Sequence, residues 1–244
     1  MNNRRLYYPA VAYLLLLVGV WLLSWLLGVV ALLSGAHSDV FSLVSAEGLR
    51  WALRSATESI NSAPWAGILL FVTSAGLLAG SGVVKSVRGL LRGGSLAYVE
   101  RRAWSMAALA FFLYLFLLFV CTFYPWNILL GVTGSFGTST IVQGGAIILF
   151  LGLLFVTSIF GFIYGNYRSV VDIMRSVGSS YSLFAPALVA VLPASGIIPC
   201  AEYADILSIL DVSLQEVAFF THVMYLLPFV YIIFFLIKGG AEGK

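Results

Sequence analysis

The residues of this chain that could do chemistry are few, and they sit inside apolar runs. Pro186, Pro193 and Pro199 fall within 14 positions of one such run. Each proline removes an amide donor and clashes with the carbonyl four residues back, so the carbonyls of Ser182, Val189 and Ser195 need other partners. At Pro193-Ala-Ser-Gly196 the hydroxyl of Ser195 and the bare backbone of Gly196 would stand at a break in the helix, with Pro199 and Glu202 just beyond. Non-helical backbone at membrane depth is tolerated only against protein or a water-filled cavity. Discontinuous helices of that kind bind small solutes and ions. The other reading is a kinked helix packed against its neighbours.

A second polar stretch holds Thr73, Ser74, Gly76, Gly80, Ser81 and Gly82. Gly76 and Gly80 make a GxxxG pair, which lets two helix backbones approach closely. Helix packing or the lining of a pathway both fit it. Ser195 and His222 invite a serine-hydrolase reading, but that needs the two within hydrogen-bond reach, and the context is Pro-Ala-Ser-Gly. A lone histidine near an interface usually bonds locally. Glu202 and Asp205 are the acids nearest a span, either beside an ion pathway or in a solvated loop. Gly131, Gly134, Gly137, Gly144 and Gly145 have no lysine following and no strand before them, so they form no phosphate loop and read as a connection between spans. Cys121 and Cys200 lack CxxC spacing and there are two His in all, so neither a disulfide framework nor a metal site is expected. No cofactor is expected, and the chain does not read as an enzyme.

The elements that must position these residues are membrane spans. Of 244 residues, 61% are hydrophobic and 9% charged, with a mean hydropathy of +1.03. Soluble domains carry about 25% charged residues. The net charge of +3 is spread over loops, which excludes a nucleic-acid face. About 20 apolar residues cross the hydrocarbon core, and six segments meet or approach that: Pro9–Leu33, Pro64–Val84, Ala103–Tyr124, Ile141–Tyr164, Tyr181–Pro199 and Val217–Ile237. The fold class is therefore all-α, a polytopic membrane protein of about six transmembrane helices, one of them proline-broken, forming a single domain over residues 1–244. Ala46–Ile60 mixes Leu49, Trp51, Leu53 and Ile60 with Glu47, Arg50, Arg54 and Glu58, the pattern of an interfacial amphipathic helix. Trp51 and Trp65 would lie in an aromatic belt.

Charge sets the orientation. Of 13 Lys and Arg, all but Arg50 and Arg54 fall in segments that six spans place on one side. Arg4 and Arg5 are in the N-terminus. Lys85, Arg88, Arg92, Arg101 and Arg102 are in the loop between spans two and three. Arg168 and Arg175 follow span four, and Lys238 and Lys244 close the chain. The positive-inside rule puts both ends in the cytoplasm. The run from Tyr7 to Leu33 exceeds a signal-peptide core of roughly 7–15 residues and reads as a retained anchor.

Several segments together resemble the p-aminobenzoyl-glutamate transporter (AbgT) family. They are Ala46-Glu-Gly-Leu-Arg-Trp51, Ala63-Pro-Trp-Ala-Gly-Ile68, Gly76-Leu-Leu-Ala-Gly-Ser-Gly82, Ile147–Gly165, Ser169–Gly178 and Tyr181–Leu207. They follow the family's order over about two thirds of the chain. Departures are equally specific. The family's polar first hairpin tip is replaced by the basic segment Lys85–Arg102, its "NWSNLG" element by Pro193–Cys200, and its second hairpin would lie past span six. The resemblance implies a shortened inner-membrane relative and ion-driven secondary transport of a small anionic solute, coupled to Na+ or H+. It also implies a homodimer or a partner membrane subunit. The pathway would be lined by Thr73, Ser74, Gly76, Pro193, Ser195, Gly196, Pro199 and Glu202. The alternative is a non-transporting membrane subunit or scaffold of the same descent.

Overall fold

A computed structural model describes residues 6–34, 41–94, 96–123 and 140–239. Among the described residues there are nine helices and no strand: α1 (Tyr8–Ser34), α2 (Ala46–Asn61), α3 (Trp65–Ser81), α4 (Val83–Leu91), α5 (Tyr98–Phe123), α6 (Thr140–Tyr164), α7 (Val170–Tyr203), α8 (Ile206–Ile209) and α9 (Leu214–Gly239). Five of them, α1, α5, α6, α7 and α9, are long and apolar enough to cross a membrane, and α2 with α3, bent by 46° at the break between them, counts as a sixth where the pair is taken as one span. Helices are the expected answer where no water can satisfy the backbone. Their outer faces carry Leu15, Leu22, Phe112, Phe116, Leu149, Leu226 and Phe234 in the open. Apolar surface on that scale is sustained by lipid, not water. The chain is a polytopic all-α membrane protein.

Charged residues sit at helix starts, where the backbone presents unpaired N–H groups. Ala97 N–H donates to Glu100 at 3.1 Å before α5. Arg168 and Ser169 N–H donate to Asp172 at 2.9 and 3.0 Å before α7. Ser213 and Glu216 exchange bonds of 2.8 and 3.3 Å at the start of α9, a capping box. The Ser45 hydroxyl accepts from Gly48 N–H at 3.0 Å and caps α2.

Four expectations change. α7 is one helix of 34 residues with Pro186, Pro193 and Pro199 inside it, so the backbone at Ser195 and Gly196 is helical, not broken. In membranes, local adjustment and neighbouring groups re-satisfy what proline frees. The second span is shorter than its apolar run: α3 has 17 residues, about 25 Å at 1.5 Å per residue. It stops at Gly82, whose φ of +90° suits glycine. The basic stretch beyond is not a loop, because Lys85 and Arg88 lie on helix α4 and Arg101 and Arg102 on α5. Gly144 and Gly145 are within α6, while Gly131, Gly134 and Gly137 lie outside the described residues, as do Arg4, Arg5 and Lys244.

The chain divides into two compact units, Met1–Trp65 with Phe184–Lys244, and Ala66–Leu183. In the first, Leu43, Cys200, Ala201, Ala204 and Ile206 form a buried cluster covered by Leu17, Trp21, Trp51 and Tyr203. Leu43 N–H donates to the buried Ser24 hydroxyl at 3.0 Å, tying the turn before α2 to α1. The Tyr13 hydroxyl donates to the Met224 carbonyl at 2.8 Å, joining α1 to α9. In the second unit Ala103, Ala107 and Phe160 centre the packing of α5 on α6. Leu77, Tyr167 and Ile173 centre a further cluster there.

Candidate functional site

The nominated residues fall in two places, one in each unit. Thr73, Ser74 and Gly76 lie on α3 in the second unit, where α3 meets residues 170–183 of α7. Thr73 Oγ1 donates to the Leu69 carbonyl at 2.7 Å and lies 3.0 Å from the Tyr181 hydroxyl. Ser180 Oγ reaches the Val72 carbonyl at 2.7 Å. The Tyr167 hydroxyl donates to the Leu77 carbonyl and sits beside Ser176 Oγ, both at 3.1 Å. Burial pushes the Tyr167 phenol above its ordinary value, which keeps the donated proton in place. Asn166 closes the row on the Gly80 carbonyl at 3.2 Å. Between these bonds the helices touch. A Cβ at Gly76 would stand 2.7 Å from Ser180 Oγ and 2.9 Å from both the Ser176 carbonyl oxygen and Val177 Cα. At Gly80 it would overlap Ser176. The GxxxG pair is a packing seam with its hydroxyls already bonded, as the helix-packing reading has it. Ser74 is half-buried on the same helix.

The second place is in the first unit, where α1, α2 and residues 184–203 of α7 border an open pocket of about 170 Å³. Ser195, Gly196 and Cys200 form its α7 wall, Leu17 and Trp21 its α1 wall, and Trp51, Ser55 and Ser59 belong to its α2 wall. Ser195 and Gly196 are thus brought together with polar α2 residues that the sequence singles out only as part of an amphipathic helix. Pro193, Pro199 and Glu202 are not among the lining residues. Glu202 is exposed in the last turn of α7. Small residues on α7, Ser195 and Gly196, leave the space, and Trp51 holds its edge by stacking on Tyr203 with ring centroids 4.2 Å apart.

A wider space of about 400 Å³ lies beside the first and shares Trp51 with it. Among the described residues, Glu47, Arg50 and Arg54 also line it. Arg50 and Arg54 are four residues apart on α2 and both exposed, so their guanidinium groups share one helix face. The signal for this site was in the sequence as the i, i+4 arginine pair flanking Trp51.

Ser195 and His222 make no catalytic pair in this geometry. Ser195 Oγ donates to the Leu192 carbonyl at 2.8 Å. His222 Nδ1 bonds the Ala218 carbonyl at 2.7 Å, and a carbonyl only accepts, so that nitrogen carries the proton. Each is bonded within its own helix. Among the described residues no group of three His, Cys, Asp or Glu side chains is placed to hold a metal ion.

No protein-family model, no curated protein and no solved structure matches the chain.

Proposed function

We propose that this protein is a secondary transporter of a small anionic solute, driven by a Na+ or H+ gradient and related to the AbgT type. The observation that carries the reading is the pair of adjoining spaces in the first unit. The wider one offers two guanidinium groups and an indole, with the Glu47 carboxylate beside them. The narrower one is lined by Ser195, Gly196 and the Trp21 and Trp51 rings. Guanidinium groups pair with carboxylates, and indole faces stack on aromatic rings. A solute such as p-aminobenzoyl-glutamate, with two carboxylates and one ring, carries the matching groups. The charge asymmetry of the sequence supports an inner-membrane setting with cytoplasmic ends, which puts α2 on the outer face.

The test is uptake of radiolabelled p-aminobenzoyl-glutamate by proteoliposomes holding the full chain, under an imposed Na+ or H+ gradient. A parallel test removes Cys121 and Cys200 and places Ser195→Cys for an impermeant maleimide. Gradient-dependent uptake, with Ser195→Cys labelled from both sides, is the expected result. No uptake under either gradient, with that position dark from both sides, overturns it.

A second reading has its own observations. The unbroken α7 and the filled seam of Thr73 and Gly76 suit a membrane subunit that packs against a partner and moves nothing. Stoichiometric co-purification with another membrane protein, and no uptake by the chain alone, would favour it.

A further inference from the structure

The second unit contains a further space that the transport reading does not use. A groove of about 340 Å³ runs along α5 and α6, from Trp104 and Phe160 at one end to Leu118 and Leu149 at the other. From Trp104 to Leu118 it follows α5 for about 21 Å at 1.5 Å per residue. That is somewhat more than one leaflet of a hydrocarbon core about 30 Å thick. Its polar lining atoms are already bonded. The Tyr114 hydroxyl donates to the Ile148 carbonyl at 2.6 Å, and Thr157 Oγ1 to the Leu153 carbonyl at 2.7 Å. The Trp104 indole N–H donates to Ser86 Oγ at 2.9 Å. Among the described residues, nothing in the groove asks for a hydrogen-bonding ligand.

The Trp104 end is different. Val83 lines the groove there and begins α4, whose residues divide into two arcs. Val84, Val87 and Leu91 form an exposed apolar arc. Lys85 and Arg88 share the next one at i, i+3 spacing, and Arg92 caps the helix just past its end; all three are exposed. Arg101 and Arg102 stand just before Trp104 on α5, exposed as well. The one acid of this segment, Glu100, accepts from Ala97 N–H at 3.1 Å and from the Tyr164 hydroxyl at 3.4 Å. At its Trp104 end the apolar groove therefore adjoins a segment, residues 83–104, that carries five exposed basic residues and an amphipathic helix. A basic cluster next to an apolar groove recognises an anionic headgroup with its chain attached. A second copy fits the end poorly, because two chains inserted the same way would set these basic clusters side by side.

We propose that this groove is a binding site for an anionic phospholipid. One acyl chain lies between α5 and α6, and the phosphate meets Lys85, Arg88, Arg101 and Arg102. The site is independent of whether the first unit transports anything.

The experiment uses the full chain in nanodiscs of mixed phosphatidylglycerol and phosphatidylcholine, released for native mass spectrometry. Phosphatidylglycerol should be retained in preference by about fivefold or more. The exposed-residue variant Lys85→Gln/Arg88→Gln/Arg101→Gln/Arg102→Gln should retain the two lipids equally. A phosphatidylglycerol with a diazirine on its acyl chain should cross-link to peptides within residues 104–118 and 148–160. Equal retention by the native chain overturns the proposal, as does a preference that survives in the variant. So do cross-links spread evenly over α1 and α9, or a groove that cross-links to a second copy of the chain in place of lipid.

Discussion

Gly76→Ala tests the packing seam of the second unit. The added Cβ would meet Ser180 Oγ at 2.7 Å and two backbone atoms, the Ser176 carbonyl oxygen and Val177 Cα, at 2.9 Å. A side-chain hydroxyl can rotate away; helix backbone cannot. Overpacking of this kind costs roughly 1–3 kcal/mol, against a helix-propensity gain for alanine of roughly 0.5–1 kcal/mol. Gly67 is the internal control. It is on the same helix, and nothing lies within 4 Å of a Cβ built there, so Gly67→Ala should keep the propensity gain alone. The two variants should differ by about 1–3 kcal/mol in SDS unfolding from mixed micelles, followed by tryptophan fluorescence. Ser180→Gly added to Gly76→Ala should recover only part of the loss, because the backbone contacts remain. If Gly76→Ala unfolds with Gly67→Ala, α3 and α7 are not closed on each other there. Thr73 and Gly76 would then return as candidates for a pathway wall.

Other outcomes follow from the same geometry. On the proposed transport reading, Arg50→Gln and Arg54→Gln should each raise the KM for an anionic solute about fivefold without lowering kcat, and less so at high salt, in proteoliposome uptake at varied ionic strength. Trp104→Phe takes the indole donor from the buried Ser86 hydroxyl and should lower stability by about 1 kcal/mol in the same unfolding assay. Ser45→Ala removes the cap on Gly48 N–H and should cost about 1 kcal/mol, with faster amide exchange confined to the first turn of α2. Pro193→Ala should leave helicity by circular dichroism unchanged, because α7 is already continuous there.

The spans themselves were legible because bilayer thickness and backbone satisfaction leave few alternatives to a long apolar helix. α1 and α6 begin and end within a residue or so of where the apolar runs place them, and α2 likewise follows its mixed pattern of leucines, arginines and glutamates. What was misread turns on positions where local chemistry and packing disagree. Three prolines in α7 signal a break when counted along the chain. Yet the same stretch is rich in small residues, and Ala187, Ala190, Ala194 and Ser195 are buried. Close neighbours stabilise a helix that has lost three amide donors, and no local pattern reports how close they come. The opposite error occurred at Lys85–Arg102, where charge density suggested a loop. The i, i+3, i+7 spacing of Lys85, Arg88 and Arg92 was the helical signal, and it had to be weighed against glycines on both sides. The pocket beside Ser195 shows a third limit. Ser195 and Gly196 could be nominated from their own chemistry. Their opposition to Trp21, Trp51 and Ser55 depends on how α1 and α2 meet α7, which is a property of pairs of helices and is written in no single one of them.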